Sequence, residues 1–182
     1  MLKYLLSSNQ PGQIDPEKAD QYQRLISLPG TNTDTLPSST SVDNSLYHLS
    51  EENYYKRGNK GYWTLYFPNM LIDQMWARAI NAYDRDKLKG ISVISIIYQD
   101  KDNKSSIRFF CSDNQAILES SIESILECYD DYQQRYVYYR TNNPINNKRK
   151  YKSDIPDEQL AMTTYRIDRY QVNQLRYKPV KI

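Results

Sequence analysis

Gly61-Tyr62-Trp63-Thr64-Leu65-Tyr66-Phe67-Pro68 is the stretch that decides the fold. Trp63, Leu65 and Phe67 alternate with Tyr62, Thr64 and Tyr66, the period of two that a strand shows when one of its faces is apolar. Pro68 stops the run. Asn69 then stands where a helix over about 70–84 needs a cap, and Ile72, Met75, Trp76, Ala79, Ile80 and Tyr83 recur in that helix at a spacing of three to four. This stripe is expected to lie on the sheet.

Downstream, Ile91–Tyr98 and Ser105–Cys111 are rich in β-branched and aromatic residues and are joined by the polar run Asp100–Lys104, so two adjacent antiparallel strands are predicted. Ser112 or Asp113 is the expected cap of a second helix with the apolar face Ile117, Leu118, Ser121, Ile122, Ile125 and Leu126, directed at the same sheet. Arg135–Arg140 reads as a further strand, ended by Thr141-Asn142-Asn143-Pro144. The order is β-α-β-β-α-β. The fold class is α+β, a curved antiparallel sheet with helices on one face, in a core over residues 58–143.

Outside the core the pattern thins. Asp15-Pro16-Glu17 places a capping side chain before proline at a first helical position, predicting a short helix over 16–27. Residues 30–45 hold Thr, Ser, Asn, Asp and Pro with little to bury and are expected to form a flexible linker, so that 1–57 is a helix plus linker. Residues 144–182 form a basic extension, with Lys148-Arg149-Lys150-Tyr151-Lys152 as an exposed loop and a helix from Pro156 to about Ile167.

At 182 residues the chain has the length of one domain. Its hydrophobic fraction is only 39%, while 18 tyrosines bring aromatics to 13%, so rings must supply much of the buried area. Tyrosine suits half-buried strands and polar pocket walls, because its hydroxyl needs a partner. Lys and Arg (24) nearly balance Asp and Glu (22), which argues against a dedicated nucleic-acid protein. The basic excess sits after Arg140. Cys111 and Cys128 have no CxxC spacing, and there is a single histidine, His48, so buried thiols are expected and a zinc site is not. The opening apolar run is too short for a signal peptide, and no stretch is apolar enough to span a bilayer; the expected location is the cytoplasm, or a host cell if the protein is a secreted bacterial effector. Walker, GxGxxG, GxSxG and paired-carboxylate motifs are absent, and no cofactor is implied.

Taken together, Lys60-Gly61-Tyr62-Trp63, Ile72-Asp73-x-x-Trp76, Lys87-Leu88-Lys89-Gly90 and Tyr136-Val137-x-Tyr139-Arg140-x-Asn142 resemble, in order and spacing, the bacterial phosphothreonine lyase effectors and their eukaryotic relatives. That family shares the fold of the mRNA cap-binding translation initiation factor. The likeness covers about half of the chain. It implies phosphate binding and, in the enzymes, β-elimination from phosphothreonine: a lysine takes the Cα proton, a histidine protonates the leaving phosphate, and cationic side chains hold it. A lysine acts as base only where neighbouring cations and burial lower its pKa. Carried over, Lys89 falls on the base and Arg140 on a phosphate-binding arginine, with Tyr139 beside it. Lys104 and Arg108 are the nearest candidates for the remaining cations, together with Lys101. The first strand departs from the pattern, with Tyr62 and Thr64 where the lyases carry lysine and the acid histidine. Loss of a general acid costs about 10²–10⁴ in rate.

Each candidate also has a plainer reading. Lys89 serves equally as a solvated lysine at a turn, Arg140 as a cation stacked on Tyr136, Tyr138 and Tyr139, Trp63 and Trp76 as core, and His48 as a bystander. Three functions stay open: a binder of, or enzyme on, phosphorylated protein; a nucleotide- or cap-binding module; and a non-enzymatic effector that meets a protein partner through its basic tail.

Overall fold

The computed structural model describes residues 14–40, 45–99, 103–133, 136–141, 163–168 and 180–181. The core order is as expected: β2 (Gly61–Pro68), α3 (Ile72–Asp84), β3 (Val93–Ile97), β4 (Lys104–Cys111), α4 (Gln115–Cys128) and β5 (Tyr136–Thr141). Before it come α1 (Pro16–Ile26), β1 (Ser45–Leu49) and α2 (Glu51–Lys56); after it come β6 (Thr163–Asp168) and β7 (Val180–Lys181). The seven strands form one antiparallel sheet in the order β1-β3-β4-β2-β5-β6-β7. Three strands thus come from outside 58–143, and neither boundary coincides with a sheet edge.

Alternation along β2 sorts the two faces. Trp63, Leu65 and Phe67 turn to α3 and α4 and join Ile94, Ile96, Ile107, Phe109, Val137, Tyr139 and Ile167 in one buried cluster with both helix stripes. Burying each of these side chains contributes roughly 1.5–3 kcal/mol. Several tyrosines sit in this dry core rather than at its edge, because backbone carbonyls accept their hydroxyls. Tyr129 donates to Met75 O at 2.7 Å, Tyr83 to Ser92 O at 2.8 Å and Tyr139 to Cys111 O at 3.3 Å. Trp63 is fully buried with its indole N–H donating to Ser121 Oγ at 3.0 Å, and Trp76 is buried on the same side.

On the opposite face, α1 and α2 cover only the β1–β3 end, where Tyr22, Leu49, Tyr54 and Val93 form a second cluster against Tyr47, Tyr55 and Phe110. Asp15 caps α1 through Glu17 N–H. Lys18 Nζ ties α1 to α2 by donating to Tyr55 O at 2.9 Å.

Several local expectations are corrected. Asn114, not Ser112 or Asp113, caps α4 by accepting Ala116 N–H at 3.0 Å. Asn69 does not cap α3. A 3-10 turn over Asn69–Leu71 precedes that helix, and the Asn69 amide bonds Gln99 O and Ser105 Oγ instead, tying the start of α3 to the β3–β4 hairpin. The 30–45 segment is not wholly free of structure. Thr31 bridges to Tyr47, the Asn32 side chain brackets both backbone groups of Leu49, and Ser38 binds the Asp73 carboxylate through its N–H and hydroxyl. The helix expected over 156–167 is replaced, where described, by strand β6. Its Thr-Thr-Tyr-Arg-Ile-Asp sequence is β-rich, and Ile167 faces Val137 in the core. The basic run 148–152 and residues 1–13 lie outside the described residues.

Candidate functional site

The alternation that buries Trp63, Leu65 and Phe67 turns Tyr62, Thr64 and Tyr66 to the other face. Their cross-strand partners complete two rows. In one, Ser95, Arg108, Thr64 and Tyr138 stand side by side on β3, β4, β2 and β5; in the next stand Val93, Phe110, Tyr62 and Arg140. Arg108 and Arg140 therefore flank β2 diagonally on one face. A register shift opposite Tyr139 and Arg140 leaves β6 with an extra residue there, a device that bends a strand and re-aims neighbouring side chains. Gly61 allows this corner to close, since a Cβ there would collide with Arg140 O and the Tyr139 ring.

The Arg108 guanidinium lies over the Tyr62 ring at 5.0 Å from its centroid, and that ring packs on Phe110 at 5.1 Å. This stack fixes where Arg108 points. Arg108 Nε, Arg140 Nε and Thr64 Oγ1 are all buried without a hydrogen-bond partner among the described residues; Asn59 Oδ1 is the fourth such atom. No carboxylate among the described residues pairs with either arginine. Buried polar groups are satisfied in the great majority of cases, so these three atoms, without partners among the described residues, make the two adjacent rows the candidate contact for an acceptor-rich group.

The other expected site residues are distributed differently. Lys104 is exposed at the start of β4, four residues before Arg108 and on the same face by alternation. Lys101 lies outside the described residues. Tyr139, expected beside the phosphate, is fully buried on the opposite face, edge-on to Trp63 at 5.3 Å; Tyr138 is its neighbour that turns to the arginine face. Lys89 also lies on the helix side. It is exposed in the α3–β3 connection, its N–H bonded to Ser124 Oγ of α4 and its ammonium donating to Asp86 O at 2.9 Å. It borders an 850 Å³ groove between α3 and α4 that includes Ala82, Glu127 and Cys128. The structure thus brings Arg108, Arg140 and Lys104 to one face and leaves Lys89 on the other.

His48 is tied to the end of α3. Its Nε2 lies 2.6 Å from Asp84 Oδ1 at the end of α3, with Tyr83 against its ring. Cys111 is fully buried, and burial pushes its thiol up to about 12; burial also raises the Cys128 thiol. No group of three or more His, Cys, Asp or Glu among the described residues is placed to hold a metal ion, and no described helix is long and apolar enough to cross a membrane.

No protein-family model and no curated protein matches the sequence. Among solved structures, the chain is similar to a schistosome eIF4E complexed with m7GpppG and 4E-BP, at 14% identity and a TM-score of 0.46 over 75% of this chain and 76% of that one. It is similar at the same identity to Ascaris suum eIF4E-3 with m7G cap, at a TM-score of 0.43 over 76% and 79% of the two chains.

Proposed function

We propose that the chain is a nucleotide-binding module, not a lyase, and that the phosphate of its ligand is held between Arg108 and Arg140. The observation that carries this reading is that the buried Nε atoms of Arg108 and Arg140, which flank β2 on one face, have no hydrogen-bond partner among the described residues. Guanidinium forks match phosphate oxygens bidentately, and they do so most strongly where water is scarce. The Thr64 hydroxyl between them supplies a further donor. Tyr66 and Tyr138 occupy the same face as the arginines, and rings of this kind stack a base irrespective of its identity. That favours a nucleotide over a phosphorylated side chain, which offers nothing flat to stack. Elimination would also need a base within hydrogen-bond reach of the substrate Cα, and Lys89 lies on the helix side.

Calorimetry with GTP, m7GpppG, a phosphothreonine peptide and inorganic phosphate tests this. The expected result is binding of the nucleotides, weakened at least about tenfold by Arg108→Gln or Arg140→Gln. The slope of log K against log salt should fall by about 0.7 for each arginine removed. The peptide should keep its phosphate on incubation, as read by mass spectrometry. Flat titrations with both nucleotides would sink the reading.

A further inference from the structure

We infer that Ser38 is a phosphorylation site and that its phosphorylation releases a strap, residues 33–40, from the flank of α3. The inference is independent of any ligand on the arginine face, because α3 lies on the other side of the sheet. In the motif Ile72-Asp73-x-x-Trp76 two residues serve the core, where Ile72 and Trp76 are both buried. Asp73 serves the strap. Its Oδ1 accepts the Ser38 N–H at 2.8 Å and its Oδ2 accepts the Ser38 hydroxyl at 2.5 Å. The 3-10 turn Pro37–Ser39 that presents Ser38 is otherwise closed on itself among the described residues. The Ser39 and Thr40 N–H groups bond Leu36 O and Pro37 O, and both their hydroxyls return to Leu36 O. Pro37 adds one buried ring, while Thr31 and Asn32 anchor the start of the strap to β1. A segment held so sparingly opens locally at small cost. Ser38 is exposed, and the turn is entered and left by extended backbone at Leu36 and Thr40, so its hydroxyl is within reach of an enzyme.

The reaction is transfer of the γ-phosphoryl group of ATP by a protein serine kinase. A bond forms from Ser38 Oγ to phosphorus, the β–γ phosphoanhydride breaks, ADP leaves with that electron pair, and the hydroxyl proton passes to the carboxylate base of the kinase. The hydroxyl that donates to Asp73 thereby gives way to acceptor oxygens carrying about −1.5 to −2 in charge at neutral pH. These oxygens meet Asp73 at contact. Asp34 and Asp84 line the same groove of about 290 Å³ between the strap and α3, and no lysine or arginine does so among the described residues. No described cation pairs with Asp73 or Asp34. The N-terminus of α3 attracts an anion with only about half a charge, and Asp73 in its first turn already meets that attraction. Repulsion between like charges therefore prevails and the strap leaves. It uncovers Trp76, only 4% exposed beside it, together with Ala77 and Ile80. Ser39 and Thr40 do not substitute for Ser38, since their hydroxyls turn to Leu36 O and not to α3.

The test uses the full chain with phosphoserine installed genetically at position 38, beside the unmodified chain and one with phosphoserine at position 39, with circular dichroism to check folding. Amide hydrogen exchange reads the strap, and acrylamide quenching of fluorescence reads Trp76. Phosphorylation at Ser38 should lower the protection of the Ser38–Thr40 amides at least about tenfold, the loss of one hydrogen bond to a charged group, and should raise the quenching. Phosphorylation at Ser39 should do neither. Asp73→Lys should invert the response, leaving the unmodified strap loose and the Ser38-phosphorylated strap held by a charge-assisted pair. Protection unchanged by phosphorylation at Ser38, an equal effect from Ser39, or release that persists in Asp73→Lys would each overturn the inference. Absence of phosphate on Ser38 in protein isolated from the cells that make it, read by mass spectrometry, would overturn it as well.

Discussion

Arg108→Met should stabilise the ligand-free protein while abolishing its ligand response. The buried Nε of Arg108 has no partner among the described residues, and an orphaned donor of this kind costs about 1–3 kcal/mol. Arg140 stands diagonally across β2, two strand spacings over and two residues along, ~12 Å away, which adds a repulsion of about 0.3–1.4 kcal/mol between the limits of water-like and surface-like dielectric. Against this, methionine gives up the cation–π contact with Tyr62, about 0.5–1 kcal/mol, but keeps an apolar stem on the ring. The balance favours methionine by roughly 1–3 kcal/mol, or about 2–4 °C in Tm per kcal/mol for a chain of this size. Urea unfolding followed by fluorescence of the buried Trp63 and Trp76 measures it, with an unchanged m-value as the control. Ligand at a hundredfold its Kd should raise wild-type stability by about 2.7 kcal/mol and the variant's hardly at all. Destabilisation of the ligand-free variant by about 1 kcal/mol or more, the size of one hydrogen bond, would refute the view that this arginine is held for a ligand at the expense of the fold.

Other consequences follow from the packing. Ser121→Ala strands the indole N–H of fully buried Trp63 and should cost about 1–3 kcal/mol; strict additivity with Trp63→Phe in a double-mutant cycle would show that the bond contributes nothing. Arg57 joins the end of α2 to the α3–β3 connection by donating to Leu88 O, Ile91 O and the Asp86 carboxylate, so Arg57→Met should lower the urea midpoint by the equivalent of about 2–4 kcal/mol. The hydrogen bond from Arg57 holds the Asp86 carboxyl below its ordinary range. Its stabilising contribution is therefore complete above the unfolded carboxylate pKa of about 4 and fades as pH falls through the lower folded value; Asp86→Asn should flatten the stability profile there. Cys111, with its thiol pushed up to about 12 by burial, should resist alkylation at pH 8 in the native state and react at the rate of unfolding, and prompt labelling would contradict its burial.

How much was legible follows from the range of the forces involved. Trp63, Leu65 and Phe67 announce a strand because alternation is local to the backbone, and the stripes of α3 and α4 are equally local. The same alternation assigns Tyr62, Thr64 and Tyr66 to the opposite face, yet it gives no sign that this face carries arginines. Arg108 and Arg140 are 32 positions apart and meet only because β4 and β5 both pair with β2. Tyr139 and Arg140 look alike as site candidates until β5 is set in register, which sends one ring into the core and the next guanidinium out of it. β1 and β6 carry no comparable local signal, because short strands with mixed polarity gain their stability from neighbours. Asn69 follows the same rule, its amide being claimed by the β3–β4 hairpin rather than by the helix it precedes.

The sequence by itself determined the kinds of element and the apolar side of each, since these depend on residue type and period along a few turns of chain. Tertiary structure alone decided which cations share a surface and that Lys89 lies behind the sheet from Arg140. Those outcomes are set by strand order and register, which are energies of pairing between distant segments and have no periodic signature within any one of them.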